Sequence, residues 1–173
     1  MAEHARFDQW VLPHLDAGYN LARWLARDPH DAQDVVQEAC LRALKYADSL
    51  RPDGSRSWFL TIVRHAFYDW QRRNRPQEVV HEGDALLAAL ADPGAADPEG
   101  EAMRKDDARL LAQALARLPV SLREVLILRE MEELSYKEIA RVVGVPVGTV
   151  MSRLARAREL LQRLAQPRTG GPT

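Results

Sequence analysis

The sequence has a single cysteine, Cys40, among its 173 residues. One thiol forms no intramolecular disulfide and assembles no cysteine-based metal site. The N-terminal segment MAEHARFDQW has no apolar stretch followed by small residues, and no apolar run approaches the length of a membrane span. We therefore expect a soluble protein without a membrane span, located in the cytoplasm.

The sequence also lacks the usual features of an enzyme. Its five histidines show no metal-ligand spacing, no glycine-rich phosphate loop is present, and no nucleophile lies beside a base. We expect no catalytic residue, no metal and no cofactor. The protein is predicted to act by binding and remodelling other macromolecules.

Over the whole chain, basic and acidic residues nearly balance, and the formal net charge is −1. The charges are nevertheless segregated, with +3 over Arg64–Arg75, −7 over residues 77–107 and +4 over Arg141–Arg163. Two basic segments thus flank an acidic one. Clustered arginines of this kind are suited to neutralising phosphates.

The C-terminal part contains the pattern of a helix-turn-helix. Ser135 followed by Glu138 is a capping box that predicts a helix start, and Gly144 suits the left-handed position at a helix end. Pro146 fits the first turn of a second helix. Two helices joined by so tight a turn are typical of a DNA-binding module.

The second helix of this module separates into two faces at about 100° per residue. The apolar stripe is Val150, Leu154, Ala157, Leu161 and Leu164. The opposite face has small residues near the start of the helix and arginines farther along. It consists of Gly148, Ser152, Ala155, Arg156, Glu159 and Arg163. This face suits a DNA major groove, while a solvated arginine face of a helix bundle is the alternative.

Apolar periodicity predicts further helices over residues 5–26 with a break at Pro13, over 32–47, 58–73 and 101–117, and over 121–131. The last of these would open with a capping box of Ser121 and Glu124. We predict a turn at Pro29–Asp31 and a loop at Leu50–Ser57. In the helix over 32–47, the predicted core face is Val36, Cys40, Ala43 and Leu44.

Aromatic and basic residues alternate along the helix predicted over 58–73, where Trp58, Phe59, Phe67, Tyr68 and Trp70 stand among arginines. Rings that stack on bases and arginines that follow phosphates are what single-stranded nucleic acid binding requires. The spacing of the rings nevertheless indicates that at least three of the five belong to the core.

The predicted fold is therefore all-α, with two small helical domains joined by an acidic, flexible linker. We place the N-terminal domain at 1–76, the linker at 77–100, the helix-turn-helix domain at 101–165 and a disordered tail at 166–173.

Three segments, in this order, resemble the extracytoplasmic-function sigma factors of bacterial RNA polymerase. They are DAQDVVQEACLRAL at 31–44, RSWFLTIVRHAFYDWQRR at 56–73 and LPVSLREVLILREMEELSYKEIARVVGVPVGTVMSRLARAREL at 118–160. The resemblance covers about residues 5 to 165. It implies a subunit that binds core polymerase and directs promoter recognition, DNA melting and transcription initiation.

The resemblance also assigns roles to residues. Core-polymerase binding is implied for Asp34, Gln37, Glu38 and Leu41. Recognition and melting of the minus-ten element are implied for Arg56, Trp58, Arg64, His65, Arg72 and Arg73. Recognition of the minus-thirty-five element is implied for Thr149, Ser152, Arg153, Ala155 and Arg156.

The implied partners are core RNA polymerase, promoter DNA and an anti-sigma factor, and the free chain is expected to be a monomer. Two other classes of protein remain open. One is a helix-turn-helix regulator that binds duplex DNA alone, and the other is a sigma mimic that binds an anti-sigma factor. The aromatic and basic helix argues against the first, and the retained arginines argue against the second.

Overall fold

The computed structural model describes residues 2–47, 54–78 and 103–166, and all regular structure in these ranges is helical. The α-helices are α1 (Ala2–Trp10), α2 (Leu15–Ala26), α3 (Pro29–Lys45), α4 (Ser55–Asn74), α5 (Met103–Arg117), α6 (Val120–Glu130), α7 (Tyr136–Val143) and α8 (Val147–Ala165). Short 3-10 helices occupy Leu12–His14 and Pro76–Glu78. The predicted all-α fold is confirmed, while most of the predicted linker and tail lies outside the described residues.

Proline and a capping aspartate determine the ends of the first three helices. Pro13 breaks the predicted helix over 5–26 into α1 and α2, as expected. The predicted turn at Pro29–Asp31 is wrong, because these residues form the first turn of α3. The carboxylate of Asp28 caps α3 by accepting hydrogen bonds from the amides of His30 (2.8 Å) and Asp31 (3.1 Å).

Helix α4 is longer than the helix predicted over 58–73. It begins at Ser55, so Ser55–Ser57 are helical and do not belong to the predicted loop, of which residues 50–53 lie outside the described part of the chain. It ends at Asn74, before Pro76. Phe59 and Phe67 are fully buried, and the other three rings pack against the core as partly buried side chains. The structural role predicted for most of the rings is confirmed.

The helix-turn-helix forms as the sequence predicts. The hydroxyl of Ser135 accepts from the amide of Glu138, and the carboxylate of Glu138 accepts from the amide of Ser135, both at 3.1 Å. Gly144 has a φ of 75°, the left-handed conformation that ends α7. Pro146 immediately precedes α8 and is not inside its first turn.

The second predicted capping box is wrong. Pro119 precedes the first residue of α6, and no side chain caps that end. Ser121 lies inside the helix. Glu124 points into the protein interior, where only 1% of it is exposed. Ser121 and Glu124 therefore do not cap α6, although their spacing fits a capping box, and Glu124 is a buried polar residue.

Helices α2, α3 and α4 pack on one another, and α5, α6 and α7 each pack on α8. The fully buried residues of α3 are Ala32, Val35, Ala39 and Ala43. Of the predicted core face, Ala43 is confirmed as buried, and Val36 and Cys40 pack against the core as partly buried side chains. Small alanines at the fully buried positions let α3 approach its neighbours closely.

The N-terminal and C-terminal groups of helices share one continuous core. Helix α2 contacts α6, helix α4 contacts α7, and the buried side chains of both groups form a single cluster. The two predicted domains are therefore docked against each other in this structure. The residues that join them include several of those predicted to bind DNA.

Gly18 of α2 packs directly against side chains of α4. A Cβ at this position would lie 2.5 Å from Cε1 of Phe59 and 3.2 Å from Cγ2 of Val63. We predict that Gly18→Ala lowers the free energy of unfolding by about 1 kcal/mol or more, because overpacking by about 1–3 kcal/mol exceeds the helix propensity gained. Urea denaturation measures this.

Gly148→Ala is the matched control, since a Cβ at Gly148 in α8 meets nothing within 4 Å. Its free energy of unfolding should stay the same or rise slightly. Equal stabilities of the two variants would contradict the packing described for α2 and α4.

Candidate nucleic-acid and protein interfaces

The face of α3 that lies opposite the core forms an open surface. Asp34 and Gln37 are exposed, and Leu41 is exposed to 64%, the largest value among the exposed large apolar side chains. Glu38 is half-buried and accepts from Nε of Arg42 at 3.2 Å. The four residues predicted to bind polymerase thus form one accessible stripe with an apolar end.

Three of the residues predicted to read the minus-ten element lie on an accessible side of α4. His65, Arg72 and Arg73 are exposed, and Arg72 contacts Asp69 at 3.3 Å. Partial burial, helped by the charge of Arg64, lowers the pKa of His65, so its imidazole is neutral at pH 7. A neutral ring offers a hydrogen-bond donor and an acceptor without adding charge.

Arg64, another residue predicted to bind DNA, instead forms a buried ion pair with Glu124 of α6. Its Nε lies 2.8 Å from Oε2 and its Nη2 lies 3.2 Å from Oε1 of the glutamate. The guanidinium also lies over the ring of Tyr68, 4.6 Å from its centroid. Two parallel hydrogen bonds of this kind form the strongest type of arginine–carboxylate contact. This ion pair joins the N-terminal helices to the C-terminal ones.

The burial of Glu124 and its hydrogen-bond partners have opposite effects on the pKa of its carboxyl. Burial raises the pKa of its carboxyl, while the hydrogen bond and positive charge of Arg64 and the hydrogen bond of Tyr68 oppose that rise. The pKa of Arg64 is raised, because pairing with Glu124 outweighs the effect of its partial burial. The carboxylate of Glu124 therefore depends on Arg64 for its charged state, whereas the guanidinium of Arg64 is charged with or without Glu124.

A second ion pair joins the two groups of helices near the start of α4. Nη2 of Arg56 donates to Oε2 of Glu132 at 3.0 Å and also to the backbone carbonyl of Glu132. Nδ2 of Asn20 donates to Oε1 of the same glutamate at 2.8 Å. Glu132 thus uses both carboxylate oxygens to hold α2 and α4, and Arg56 is occupied in this arrangement.

Arg123 contributes a third contact between the groups and is itself buried. Its guanidinium donates to the carbonyls of Leu118 (2.8 Å), Ala116 (3.1 Å) and, across the boundary, Leu25 (3.2 Å). Burial lowers its pKa to about 10. The cation thereby binds carbonyl oxygens at the ends of α2 and α5, where the helix dipoles are negative.

The sequence interpretation missed Arg123, Glu124 and Glu132 as functional residues. One signal was present, because Arg123 and Glu124 interrupt the otherwise apolar helix segment VSLREVLIL. Charged residues inside an apolar helix are seldom buried unless they are paired. Their partners could not be identified, because Leu25 and Arg64 are distant in the sequence.

The outer face of α8 is accessible, as predicted. Gly148, Ser152, Ala155 and Arg156 are exposed, and Val150, Leu154, Ala157 and Leu160 form the buried face. Leu161 and Leu164, which the sequence placed on the apolar stripe, are only partly buried.

Two of the five residues predicted to read the minus-thirty-five element are less exposed than the others. Thr149 and Arg153 are half-buried. The positive charge of Arg153 is the smallest of the effects that oppose the raised pKa of Glu124. Ser152, Ala155 and Arg156 therefore form the most accessible part of the predicted reading face.

Within the described ranges, no helix is both long enough and apolar enough to cross a membrane. In the same ranges, no three histidine, cysteine or acidic side chains are grouped so that they could hold a metal ion.

Family models match both groups of helices. The model described as Sigma-70 region 2 matches residues 10–77, and the model described as Sigma-70, region 4 matches residues 108–161. The first match contains the stripe on α3 and the basic end of α4. The second contains the helix-turn-helix.

Individual proteins are also similar to the chain. It is 33% identical over 162 residues to the ECF RNA polymerase sigma factor SigE of Mycolicibacterium smegmatis, with 90% of this chain and 60% of the relative covered. It is 35% identical over 146 residues to the ECF RNA polymerase sigma-E factor of Escherichia coli K12, with 79% of this chain and 75% of the relative covered. The chain thus spans less than two thirds of the mycobacterial relative.

A solved structure is similar over nearly the whole chain. The sigma factor RpoE from Bartonella quintana, crystallised in complex with the anti-sigma factor NepR, matches with a TM-score of 0.68 at 30% sequence identity. The match covers 91% of this chain and 95% of that chain.

The buried ion pair predicts how the docked arrangement responds to mutation. Glu124→Ala leaves Arg64 without its partner, and we expect the contact between the two groups of helices to weaken by about 3–5 kcal/mol. The radius of gyration from small-angle X-ray scattering should then increase. Glu130→Ala is the control, because Glu130 forms an exposed pair with Arg158 at 2.9 Å. Such a pair contributes about 0–1 kcal/mol, and an unchanged radius in both variants would contradict the prediction.

Proposed function

We propose that this chain, which belongs to the extracytoplasmic-function family of RNA polymerase sigma factors, binds core RNA polymerase and directs promoter recognition, DNA melting and transcription initiation. The observation that carries the proposal is the presence of both sigma-70 regions, in order, on one chain. The N-terminal domain at 1–76 would bind polymerase and the minus-ten element. The domain at 101–165 would bind the minus-thirty-five element, with residues 77–100 joining the two. Catalysis of RNA synthesis would belong to the polymerase.

We infer that the polymerase docks on the stripe of Asp34, Gln37, Glu38 and Leu41. The stripe is open in the docked arrangement, and its exposed leucine lies next to two acidic side chains. An apolar anchor surrounded by polar groups is the usual form of a protein-binding surface. A basic helical surface with an apolar pocket is the complementary partner.

The minus-ten surface on α4 would be used in two stages. His65, Arg72 and Arg73 are accessible in the docked arrangement, and Trp58, near the start of α4, is partly buried. Arg56 and Arg64 are occupied by Glu132 and Glu124. We propose that these two arginines reach DNA only when the domains separate, at which point phosphates replace the two glutamates as their anionic partners.

The minus-thirty-five element would lie against the outer face of α8. Ser152, Ala155 and Arg156 are exposed toward solvent, and Thr149 and Arg153 flank them. A helix presented in this way fits the major groove, with residues near its N-terminus at the base edges. This contact does not require the two domains to separate. In the proposed order, α8 binds the minus-thirty-five element before Arg56 and Arg64 reach DNA.

We further propose that the chain acts in the cytoplasm, is a monomer when free, and is regulated by an anti-sigma factor. The similar RpoE structure contains the anti-sigma factor NepR. A partner of this kind would hold the domains in an arrangement that keeps Arg56 and Arg64 away from DNA. The contacts already present between the domains would lower the free energy that such a partner must supply.

The proposed function is tested by run-off transcription on fragmented genomic DNA with purified core polymerase, with and without this protein. New discrete transcripts that require the protein are expected, and their upstream sequences would define both promoter elements. Fragments bound by the protein alone, without transcripts, would instead indicate an ordinary helix-turn-helix regulator.

Leu41 allows a direct test of the polymerase-binding surface. We predict that Leu41→Ala weakens binding to core polymerase by about 1–2 kcal/mol or more, because an apolar anchor is truncated. The fold should be unaffected, since the side chain is exposed. Fluorescence anisotropy of the labelled protein titrated with core polymerase measures the affinity.

Leu111→Ala is the matched control, because Leu111 is also an exposed helical leucine but lies on α5. Its affinity for the polymerase should equal that of the wild-type chain. If Leu41→Ala binds equally well, the polymerase does not use this stripe.

Arg156 is the exposed arginine of the reading face on α8. We predict that Arg156→Ala weakens binding of the holoenzyme to its own minus-thirty-five element by about 1–3 kcal/mol, the usual value for a side chain at a base edge. Competition with matched and scrambled duplexes measures the effect. Equal losses on both duplexes would identify Arg156 as a phosphate contact.

A further inference from the structure

Two exposed apolar side chains border the predicted reading face of α8, between that face and the buried stripe. Met151 is exposed to 53% and Val147 to 36%. They are four residues apart, so they lie next to each other on the same side of the helix. They occupy its first two turns, where a helix in the major groove brings side chains to the base edges.

Few hydrogen-bonding groups surround them. Gly148 and Ala155, also exposed, carry no polar side-chain atom. The hydroxyl of Ser152 donates to the backbone carbonyl of Thr149 at 3.1 Å, so its oxygen is left to accept only. Thr149 and Arg153 are half-buried, and the exposed Arg156 lies in the third turn. Exposed hydrogen-bonding side chains are therefore few in the first two turns.

The major groove presents one apolar group on its base edges, the 5-methyl group of thymine. An exposed methionine has three rotatable bonds and a polarizable sulfur, so it adapts to such a group without a fixed geometry. Valine adds a rigid surface beside it.

We propose that Met151, supported by Val147, is a specificity-determining residue that recognises a thymine methyl group in the minus-thirty-five element. This inference rests on the proposed function of α8. It assigns to the element at least one thymine, on either strand, that is recognised by apolar contact and not by a hydrogen bond.

Deoxyuridine scanning tests the proposal, because replacing thymine by uracil removes the methyl group and leaves every hydrogen-bonding atom in place. Holoenzyme is assembled with the full chain and bound to promoter duplexes in which each thymine of the minus-thirty-five element is replaced in turn. At one or two positions we expect binding to weaken about fourfold, equivalent to the roughly 0.8 kcal/mol of one buried methyl group.

The same scan with Met151→Ala decides whether Met151 makes the contact. The variant should bind thymine and uracil equally at the sensitive position, while any other sensitive position stays unchanged. Met131→Ala is the matched control, because Met131 is an exposed methionine outside α8 and should retain the full preference for thymine.

Other outcomes would overturn the inference. One is that the minus-thirty-five element contains no thymine, and another is that the wild-type holoenzyme binds thymine and uracil equally well at every position. A preference for thymine that persists in Met151→Ala is the third such outcome. If in any of these cases Arg156→Ala still reduces discrimination against a scrambled element, α8 reads DNA and only the role of Met151 is wrong. If scrambling the element has no effect on the wild-type holoenzyme, the proposed function of α8 fails as well.

Discussion

The buried ion pair between Arg64 and Glu124 is the contact on which the arrangement of this chain depends. Both charges lose water when the domains dock, and a buried carboxylate is tolerated only while a cation and further hydrogen bonds surround it. Arg64 supplies two of these bonds, and Tyr68 lies against both partners. Arg123 adds a buried cation that binds carbonyl oxygens on both sides of the boundary. Such contacts specify one relative orientation of the two groups of helices, because a small displacement would leave buried charges unpaired.

This arrangement separates the functional surfaces into two classes. The stripe on α3 and the outer face of α8 remain accessible, whereas Arg56 and Arg64 on α4 are occupied by glutamates of the other domain. The occupied arginines belong to the predicted minus-ten surface, of which His65, Arg72 and Arg73 remain accessible. The other accessible residues are those expected at polymerase and duplex DNA. Glu124 resembles a phosphate in its negative charge and in its bidentate geometry, so under the proposed function DNA would compete with Glu124 for the guanidinium of Arg64. A sigma factor docked in this way would bind its first partners before exposing the residues that act last.

Local features of the chain could be predicted from the sequence, and long-range contacts could not. The capping box at Ser135, the left-handed Gly144 and the break at Pro13 were predictable because each depends on residues within a few positions. The core face of α3 was predicted only in part, with Val35 and Ala39 missed in favour of the half-buried Val36 and Cys40, because alanines give a weak periodic signal. The pattern at Ser121 and Glu124 led to a wrong helix start. A glutamate three residues after a serine satisfies the capping rule locally, but here the carboxylate has a stronger partner across the domain boundary.

The all-α fold, the helix-turn-helix, the family and the accessible faces of α3 and α8 could be predicted from the sequence. They follow from hydrophobic periodicity, helix-end residues and motif order, which are local properties of the chain. The packed structure was needed to show which arginines of α4 are accessible and which are held by glutamates, where Glu124 and Glu132 point, and that Arg123 contacts two helix ends. Those outcomes depend on residues about 60 to 100 positions apart being brought together in one core, as with Arg64 and Glu124 or Arg123 and Leu25. No local pattern encodes which buried charge will meet which partner, because that choice is made by the packing of whole helices.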